Sequence, residues 1–381
     1  MMHIHSKLPH IGTTIFTTMS ALAREHNAIN LSQGFPDFNC SAELLERASH
    51  YLSTGFNQYA PMPGTPQLRE RVAEIIQNCY AAAYHPDTEI TITAGATQAI
   101  YTAIAAFIRP GDEVIVLEPA YDCYVPAIEV HGGIPVYSSL NPVDFSIDWG
   151  DVKKKISPKT RAILINSPHN PSGAVISGKD LLELENIIRG SNILVISDEV
   201  YEHMVFDGLS HCSVAQSKTL AAQSILVSSF GKTVHTTGWK IGYVAAPKEL
   251  MAEFRKVHQF LVFAVNHPLQ LALADFLARP GNYTELKDFY QQKRDYFLQL
   301  TKGSKLKPLK TSGTYFQLMS YEASSQEPDT DMAIRLTKEK RLATVPLSVF
   351  YSQKTDNKLL RFCFAKKDET LEKAAEIIHT L

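Results

Sequence analysis

The chain has 381 residues, of which 45% are hydrophobic and 20% are charged, and its formal net charge is −2. This composition is typical of a folded globular protein and excludes a disordered or fibrous chain. A near-neutral charge supplies no basic face for a phosphate backbone, so we predict no nucleic acid partner.

The cysteines and the apolar runs indicate whether the protein binds a metal and where in the cell it is expected. The five cysteines are odd in number and lack a CxxC spacing, which argues against a disulfide framework and a zinc site. We predict no metal site, and we expect His3 and His5 to be solvated. There is no apolar signal-peptide core and no run near the about 18 residues of a membrane span, so we predict a cytoplasmic protein without a membrane partner.

Through the middle of the chain, strand-like and helix-like patterns alternate. Each apolar run ends in small or polar residues, and helix-like segments such as residues 178–189 lie between the runs. The alternation predicts an α/β fold with a mostly parallel central sheet. In chain order the runs are EITITAG, DEVIVLEPAY, RAILINSPHN, NILVISDEVY, SILVSSFGK and KIGYVAAP.

The pattern changes after ARPGNYT, residues 278–284, where Pro and Gly interrupt it. A polar helix, two short strands and a closing helix follow. We therefore predict an N-terminal arm with part of a small domain in residues 1–39, a large domain in residues 40–280, and a smaller α+β C-terminal domain in residues 281–381.

Open α/β sheets bind ligands at the carboxyl ends of their strands, so the residues after each run are candidate site residues. After the first run, Gly95, Ala96 and Thr97 begin a helix whose free N–H groups can bind an anion, although a plain helix cap is the more common explanation of this turn taken alone. Tyr121 follows the second run and either lies over a flat ligand or belongs to the core.

The next three runs end in an amide, a carboxylate and a lysine. Asn170 lies in NSPHNPSG, where two prolines hold the loop rigid. Asp198 follows LVIS at the mouth of a buried strand, where a charge needs a cationic partner. Lys232 follows the fifth run, with Ser229 before it and Lys240 after it. Turns, caps and solvated lysines explain each residue singly, but not their joint occurrence at strand ends.

An amine, a ring-binding aromatic residue, an anion-binding helix N-terminus and a buried carboxylate make one chemical set. The set suits an aldehyde cofactor that carries a phosphate and a protonated pyridine ring. The sequence therefore predicts pyridoxal 5'-phosphate as the cofactor.

The chain resembles the class I aminotransferases of pyridoxal-phosphate fold type I over nearly its whole length. Within that family it resembles the bacterial methionine aminotransferases most, through SKLPHIGTTIFTTMSALA and SVFYS, with the kynurenine and glutamine transaminases as near relatives. The family motifs are INLSQGFPDF, NQYAPMPGTPQLR, TAGATQA, NSPHNPSG, SDEVYEH, SSFGKTVHTTGWKIGY and RFCFAKK.

The resemblance implies a role for each candidate cofactor residue. Lys232 forms the Schiff base with the cofactor and then moves the substrate's α-proton, which needs an amine of lowered pKa. Asp198 faces the pyridine nitrogen and keeps it protonated. The remaining implied contacts are Asn170 and Tyr201 to the phenolic oxygen, Tyr121 to the ring, Ala96, Thr97, Ser229 and Lys240 to the phosphate, and Tyr59 to the phosphate of a partner subunit.

The resemblance also implies the substrate contacts and a homodimer with shared active sites. Arg361 is the fork for the substrate's α-carboxylate, a geometry that lysine cannot copy. Gly34 lets the backbone approach the substrate, and Asn170 lies beside it. Ile15 and Phe16 are expected to line the side-chain pocket.

The expected substrates are neutral amino acids and 2-oxo acids. The pocket segments offer apolar or aromatic residues, among them Tyr121 and Val265, and no counterpart of the second arginine of dicarboxylate-specific relatives. This favours transfer of the amino group of methionine, and of aromatic or other neutral amino acids, to a 2-oxo acid.

Two other functions compete with this expectation. A C–S β-lyase on the same scaffold uses the same lysine, aspartate and arginine, and differs in releasing ammonia. A transcription regulator with this domain as its sensor needs an additional N-terminal module, but family segments already use the residues before TAGATQA.

Overall fold

A computed structural model of the chain describes residues 5–381, so His3 lies outside the described part. No helix within these residues is long and apolar enough to cross a membrane. Its strands are β1 (Ile29–Asn30), β2 (Ile90–Thr93), β3 (Glu113–Glu118), β4 (Ile134–Ser139), β5 (Thr160–Asn166), β6 (Leu194–Asp198), β7 (Ser224–Ser229), β8 (Gly242–Ala245), β9 (Lys307–Pro308), β10 (Phe316–Ser320), β11 (Leu342–Ala343), β12 (Val345–Pro346) and β13 (Leu359–Cys363).

The α-helices cover the sheets and connect their strands. They are α1 (Ile15–Glu25), α2 (Ala42–Ser53), α3 (Pro66–Tyr80), α4 (Ala96–Phe107), α5 (Tyr124–Val130), α6 (Trp149–Lys155), α7 (Gly178–Ile188), α8 (Lys218–Ala222), α9 (Phe230–Thr233), α10 (Lys248–Leu261), α11 (His267–Phe276), α12 (Gly281–Thr284), α13 (Leu286–Leu300), α14 (Asp329–Glu339) and α15 (Asp368–Ile378).

The large sheet has seven strands in the order β2-β8-β7-β6-β5-β3-β4. All neighbours are parallel except β8, which runs antiparallel to both β2 and β7. The predicted α/β class with a mostly parallel sheet is confirmed. Successive side chains of a strand point to opposite faces, so Ala162 and Leu164 of β5 join one core cluster while Ile163 and Ile165 join another.

Helices bury both faces of this sheet, which explains why its strands read as continuous apolar runs. Helices α3, α7 and α11 contribute to the cluster on one face, and α4, α5 and α10 to the cluster on the other. The sheet is thus a rigid base, and its polar strand ends are left for binding.

The C-terminal part holds an antiparallel sheet in the order β12-β13-β10-β9. Strand β1 pairs in parallel with β11, aligning Ile29 with Leu342, and Met19 of α1 belongs to the core cluster of this part. The N-terminal segment therefore packs with the C-terminal part. The boundaries at residues 39 and 280 stay a prediction.

Candidate active site

One cavity of about 370 Å³ collects most of the predicted site residues. It lies at the carboxyl ends of β5, β6 and β7, between the large sheet and residues of α1, β10 and β13. Sequence-distant motifs thus meet at one place. The predicted residues that line it are Phe16, Gly34, Ala96, Thr97, Tyr121, Asn170, Asp198, Tyr201, Ser229, Lys232, Lys240 and Arg361.

Three predicted residues do not line this cavity. Ile15 packs against the core clusters, because it lies on a different side of α1 from its neighbour Phe16. Val265, just before α11, is buried in a core cluster. Tyr59 is 80% exposed, and its ring contacts the exposed ring of Phe263 at a centroid distance of 5.0 Å. Within a single chain, Tyr59 is therefore separate from the other predicted cofactor residues.

Lys232 stands in α9, directly after β7. Its Nζ atom donates hydrogen bonds to the carbonyl oxygen of Gly34 at 3.1 Å and to the hydroxyl oxygen of Tyr315 at 2.7 Å. Burial lowers the pKa of Lys232 from its ordinary 10.5 to about 8. A fraction of the amine is therefore neutral at physiological pH, which a nucleophile or base requires.

Asp198 ends β6 and is 4% exposed. Its carboxylate accepts hydrogen bonds from the hydroxyl of Tyr124 at 2.6 Å and from the backbone N–H of Val200 at 3.3 Å. Burial raises the pKa of Asp198 to about 6, against the opposing effect of these two donors. The group is thus a buried carboxylate that is mostly ionised at neutral pH and lines the cavity.

The start of α4 and the residue Lys240 form a concave anion site. Gly95 precedes α4 with a φ of +79°, and the first N–H groups of a helix have no partner within it. A methyl group on Gly95 would lie 3.4 Å from Nζ of Lys240, so this amine lies over the helix start. A methyl group on Gly242 would lie 2.5 Å from the carbonyl oxygen of Ser228 and 3.2 Å from the N atom of Ala96. The cradle therefore needs glycine at this close approach.

Arg361, on β13, is 1% exposed. It donates hydrogen bonds from Nη1 to Oδ1 of Asn170 at 2.7 Å and from Nη2 to the carbonyl oxygen of Ser32 at 3.1 Å. Its guanidinium carbon lies 3.9 Å from the ring centre of Phe316 and 5.2 Å from that of Phe16. The buried Nε has no hydrogen-bond partner among the described residues. A buried cation with an unpaired donor suits an anionic ligand.

Asn166 fixes the loop that carries Asn170. The side chain of Asn166, at the end of β5, donates to the carbonyl oxygen of Asp198 at 2.8 Å and accepts from the backbone N–H of Asn170 at 2.8 Å. Two strand ends and the NSPHNPSG loop are thereby fixed to one another. Tyr201 is buried nearby, and burial raises the pKa of its phenol.

Four cavity contacts were not identified from the sequence. Tyr124 contacts Asp198, Tyr315 contacts Lys232, Phe316 stacks on Arg361, and Gln33 lies beside Gly34 in the lining. Tyr124 lies in the EPAYDCY segment and Tyr315 in the strand-like GTYFQLM, but nothing in either segment distinguishes a site tyrosine from a core tyrosine.

The lining fits pyridoxal 5'-phosphate by the chemistry of its donors. The helix start and Lys240 suit a phosphate, and the Lys232 amine suits an aldehyde. Asp198 is buried with two neutral donors, so a protonated pyridine nitrogen would supply the cation that it lacks.

The chain is similar to known aminotransferases over its whole length. The family model for aminotransferase class I and II matches residues 26–378. Methionine aminotransferase of Escherichia coli K12 is 50% identical over 377 residues, which are 99% of this chain and 98% of that protein. The crystal structure of E. coli YbdL, described with a methionine aminotransferase function, has a TM-score of 0.97 and 49% identity, and 100% of both chains is covered. A kynurenine–oxoglutarate transaminase of Dictyostelium discoideum is 34% identical over 404 residues, with 95% of this chain and 93% of that protein covered.

Proposed function

The chain belongs to the aminotransferase class I and II family, and we propose that its amino donor is methionine and its acceptor a 2-oxo acid. The predicted family, the transaminase class and the pyridoxal 5'-phosphate cofactor are confirmed by this membership. The proposal adds the substrate preference and the assignment of individual residues.

The observation that carries the substrate preference is the character of the cavity wall around Arg361. Aromatic rings of Phe16, Tyr121 and Phe316 form this wall. In the described lining, the cationic side chains besides Arg361 are Lys232 and Lys240, which the proposal assigns to the aldehyde and the phosphate. No cation is then left for a second substrate carboxylate. A flexible thioether suits aromatic walls, where sulfur–ring contacts contribute about 0.3–1.5 kcal/mol.

When bound, the cofactor supplies an aldehyde and an electron-withdrawing ring, which make the α-proton of an amino acid removable. The residues that would hold it are Lys232 for the aldehyde carbon, Asp198 for the ring nitrogen, Asn170 and Tyr201 for the phenolic oxygen, Tyr121 for the ring face, and Ala96, Thr97, Ser229 and Lys240 for the phosphate.

The chain's own groups then bind and orient the substrate. The guanidinium of Arg361 binds the α-carboxylate through paired N–H donors, and its stack on Phe316 and its bond to Asn170 fix its plane. A substrate held in this way lies in the same cavity that Lys232 lines. In its neutral form Nζ accepts the α-proton and later returns it, a role that its lowered pKa supports.

A panel of amino acids with one 2-oxo acid acceptor tests the substrate proposal. We expect kcat/KM for methionine to exceed that for aspartate by at least about 100-fold, because burial of an unpaired carboxylate costs several kcal/mol. Leucine and phenylalanine should react with kcat/KM lower by about 10-fold or more, the discrimination that an apolar pocket achieves. An aspartate value equal to that of methionine would refute the proposal.

The alternative C–S β-lyase activity is tested by its products. S-methylcysteine without an oxo acid would give ammonia, pyruvate and methanethiol in a lyase, whereas a transaminase needs the acceptor for turnover. We expect acceptor-dependent turnover with methionine and little ammonia.

The assembly and location are also proposals. A homodimer with shared sites is supported by Tyr59, which is 80% exposed and contacts the exposed ring of Phe263, close in sequence to the exposed Phe260 and Leu261. Such an apolar patch suits a subunit interface. A cytoplasmic location is supported by the five cysteines, all free in the described residues, which suits a reducing compartment.

A further inference from the structure

Tyr315 lies against the amine of Lys232 and has no role in the mechanism above. Its hydroxyl oxygen accepts a hydrogen bond from Nζ at 2.7 Å, and the hydroxyl donates to the carbonyl oxygen of Gly34. The same carbonyl accepts from Nζ at 3.1 Å. The three polar atoms therefore form a closed triangle, in which the amine faces two oxygen acceptors.

Two aromatic rings enclose this triangle. Nζ of Lys232 lies 5.3 Å from the ring centre of Tyr315 and 5.6 Å from that of Tyr201. The two rings are nearly perpendicular, with an interplanar angle of 84° and centroids 5.2 Å apart. The two rings thus enclose the amine at the edge of the cavity.

The Tyr315 ring is enclosed by other rings of the C-terminal part. It is fully buried and packs against the rings of Tyr290 at 5.6 Å and Phe316 at 4.9 Å. A methyl group on Gly34 would lie 3.5 Å from Cε2 of Tyr315, so the ring lies close to the loop whose carbonyl it bonds. The position of the hydroxyl is therefore set by the core of the C-terminal part.

We propose that Tyr315 is a positioning residue, which holds the free amine of Lys232 in place while that amine carries the substrate's α-proton. A lysine side chain has many rotamers, and two fixed acceptors restrict Nζ to one place. When neutral Nζ takes the proton from the α-carbon, it becomes an ammonium whose N–H groups face the Tyr315 and Gly34 oxygens. Return of the proton restores the neutral amine, so charge and protons balance. The inference rests on the proposed role of Lys232.

The test compares Tyr315→Phe with Tyr290→Phe as a matched control. Tyr290 is equally buried in the same ring cluster, but its hydroxyl has no hydrogen-bond partner among the described residues. In cofactor-free protein, acetylation of Lys232 by acetic anhydride is followed against pH by peptide mass spectrometry. This readout needs neither cofactor nor substrate, so it is independent of the methionine proposal.

We expect the midpoint of Lys232 labelling in Tyr315→Phe to fall by about one pH unit, because the ammonium loses an acceptor. In the loaded enzyme, kcat should fall about 10-fold with KM nearly unchanged, and the isotope effect with α-deuterated methionine should rise, since proton transfer becomes slower. Tyr290→Phe should match the wild type in the labelling midpoint, in kcat and in the isotope effect. If Tyr315→Phe also matches the wild type, the proposal is overturned.

If Tyr315→Phe does not fold, a second variant tests the proposal. Site-specific 3-fluorotyrosine at position 315 keeps the ring and the hydroxyl but weakens the oxygen as an acceptor. It should lower the labelling midpoint in the same direction by a smaller amount. An unchanged midpoint in that variant would overturn the proposal.

Discussion

Tyr124 donates a hydrogen bond of 2.6 Å to Oδ2 of Asp198 and thereby joins the start of α5 to the end of β6. The bond favours the ionised carboxylate, whereas burial favours the protonated one, and burial raises the pKa of Asp198 to about 6. The pKa of Asp198 is therefore close to neutral pH, and the hydroxyl of Tyr124 helps to keep the carboxylate ionised.

The first prediction concerns this hydroxyl. Tyr124→Phe should raise the pKa of Asp198 further, so that more of the carboxylate is protonated at pH 7 and holds a protonated ring nitrogen less well. We expect the affinity for pyridoxal 5'-phosphate to fall about 2- to 10-fold at pH 7, and the deficit to shrink at pH 8.5. Cofactor titration by absorbance measures it. Tyr137→Phe, on β4, serves as the control, and a deficit independent of pH would contradict this account.

The second prediction concerns the cost of burying Lys232. The pKa of Lys232 is about 8 in the folded chain and 10.5 ordinarily, so between these values the unfolded chain binds more protons and stability rises with pH. Below pH 8 the full penalty is present. Cofactor-free Lys232→Met should thus be more stable than the wild type at pH 7 by about 1–3 kcal/mol, and this gain should shrink towards pH 10.

Urea unfolding at pH 7 and pH 10 checks this prediction. Lys256→Met is a suitable control, because the Lys256 side chain is 68% exposed and its burial carries no such penalty. The Lys232→Met protein should also lack the absorption band of the lysine-bound cofactor and lose turnover. A variant less stable than the wild type at pH 7 would show that the lysine stabilises the fold.

The fold was predictable where the signals were local. In the large sheet, the strands that end at the cavity read as continuous apolar runs, and a polar end follows directly, as for Asp198 after LVIS. The direction of β8 was not predictable, because the run KIGYVAAP has the same composition whichever way it enters the sheet. Its antiparallel pairing is decided by the path of the chain around it.

The site was predictable where a residue's role follows from its strand end, and not where it follows from packing. Tyr315 contacts Lys232 from 83 positions away in the sequence, so no local sequence pattern predicts the contact. Ile15 and Phe16 are both apolar and adjacent, yet only Phe16 lines the cavity. Neighbours on a helix point about 100° apart, and the docking of α1 decides which of them faces the site.

The third prediction concerns shared sites in a homodimer. If Tyr59 completes the partner's site, a heterodimer of Lys232→Ala and Tyr59→Phe subunits collects both changes in one site and leaves the other site whole. Mixing the two impaired proteins under conditions of subunit exchange should therefore restore activity above that of either parent. Exchange is verified by mass spectrometry with isotope-labelled subunits. Verified exchange without recovery would mean that each site is built from one chain.

The fourth prediction concerns the contact between Gly34 and the ring that supports Arg361. A methyl group on Gly34 would lie 2.7 Å from Cζ and 3.2 Å from Cε1 of Phe316, so the ring must shift. That ring lies 3.9 Å from the guanidinium carbon of Arg361, whereas the rings of Phe16 and Phe350 lie 5.2 Å and 5.4 Å from it. Gly34→Ala should therefore displace the carboxylate fork.

Overpacking of this kind costs about 1–3 kcal/mol, so we expect kcat/KM for methionine in Gly34→Ala to fall by about 10- to 100-fold, mainly through a higher KM. The affinity for pyridoxal 5'-phosphate should stay near the wild-type value, because the phosphate cradle at α4 is built by other residues. Gly12→Ala is the matched control, since a methyl group there meets no atom within 4 Å. Steady-state kinetics and cofactor titration separate the two effects. Equal losses of substrate and cofactor binding would mean that the added methyl group disturbs the whole cavity rather than the fork.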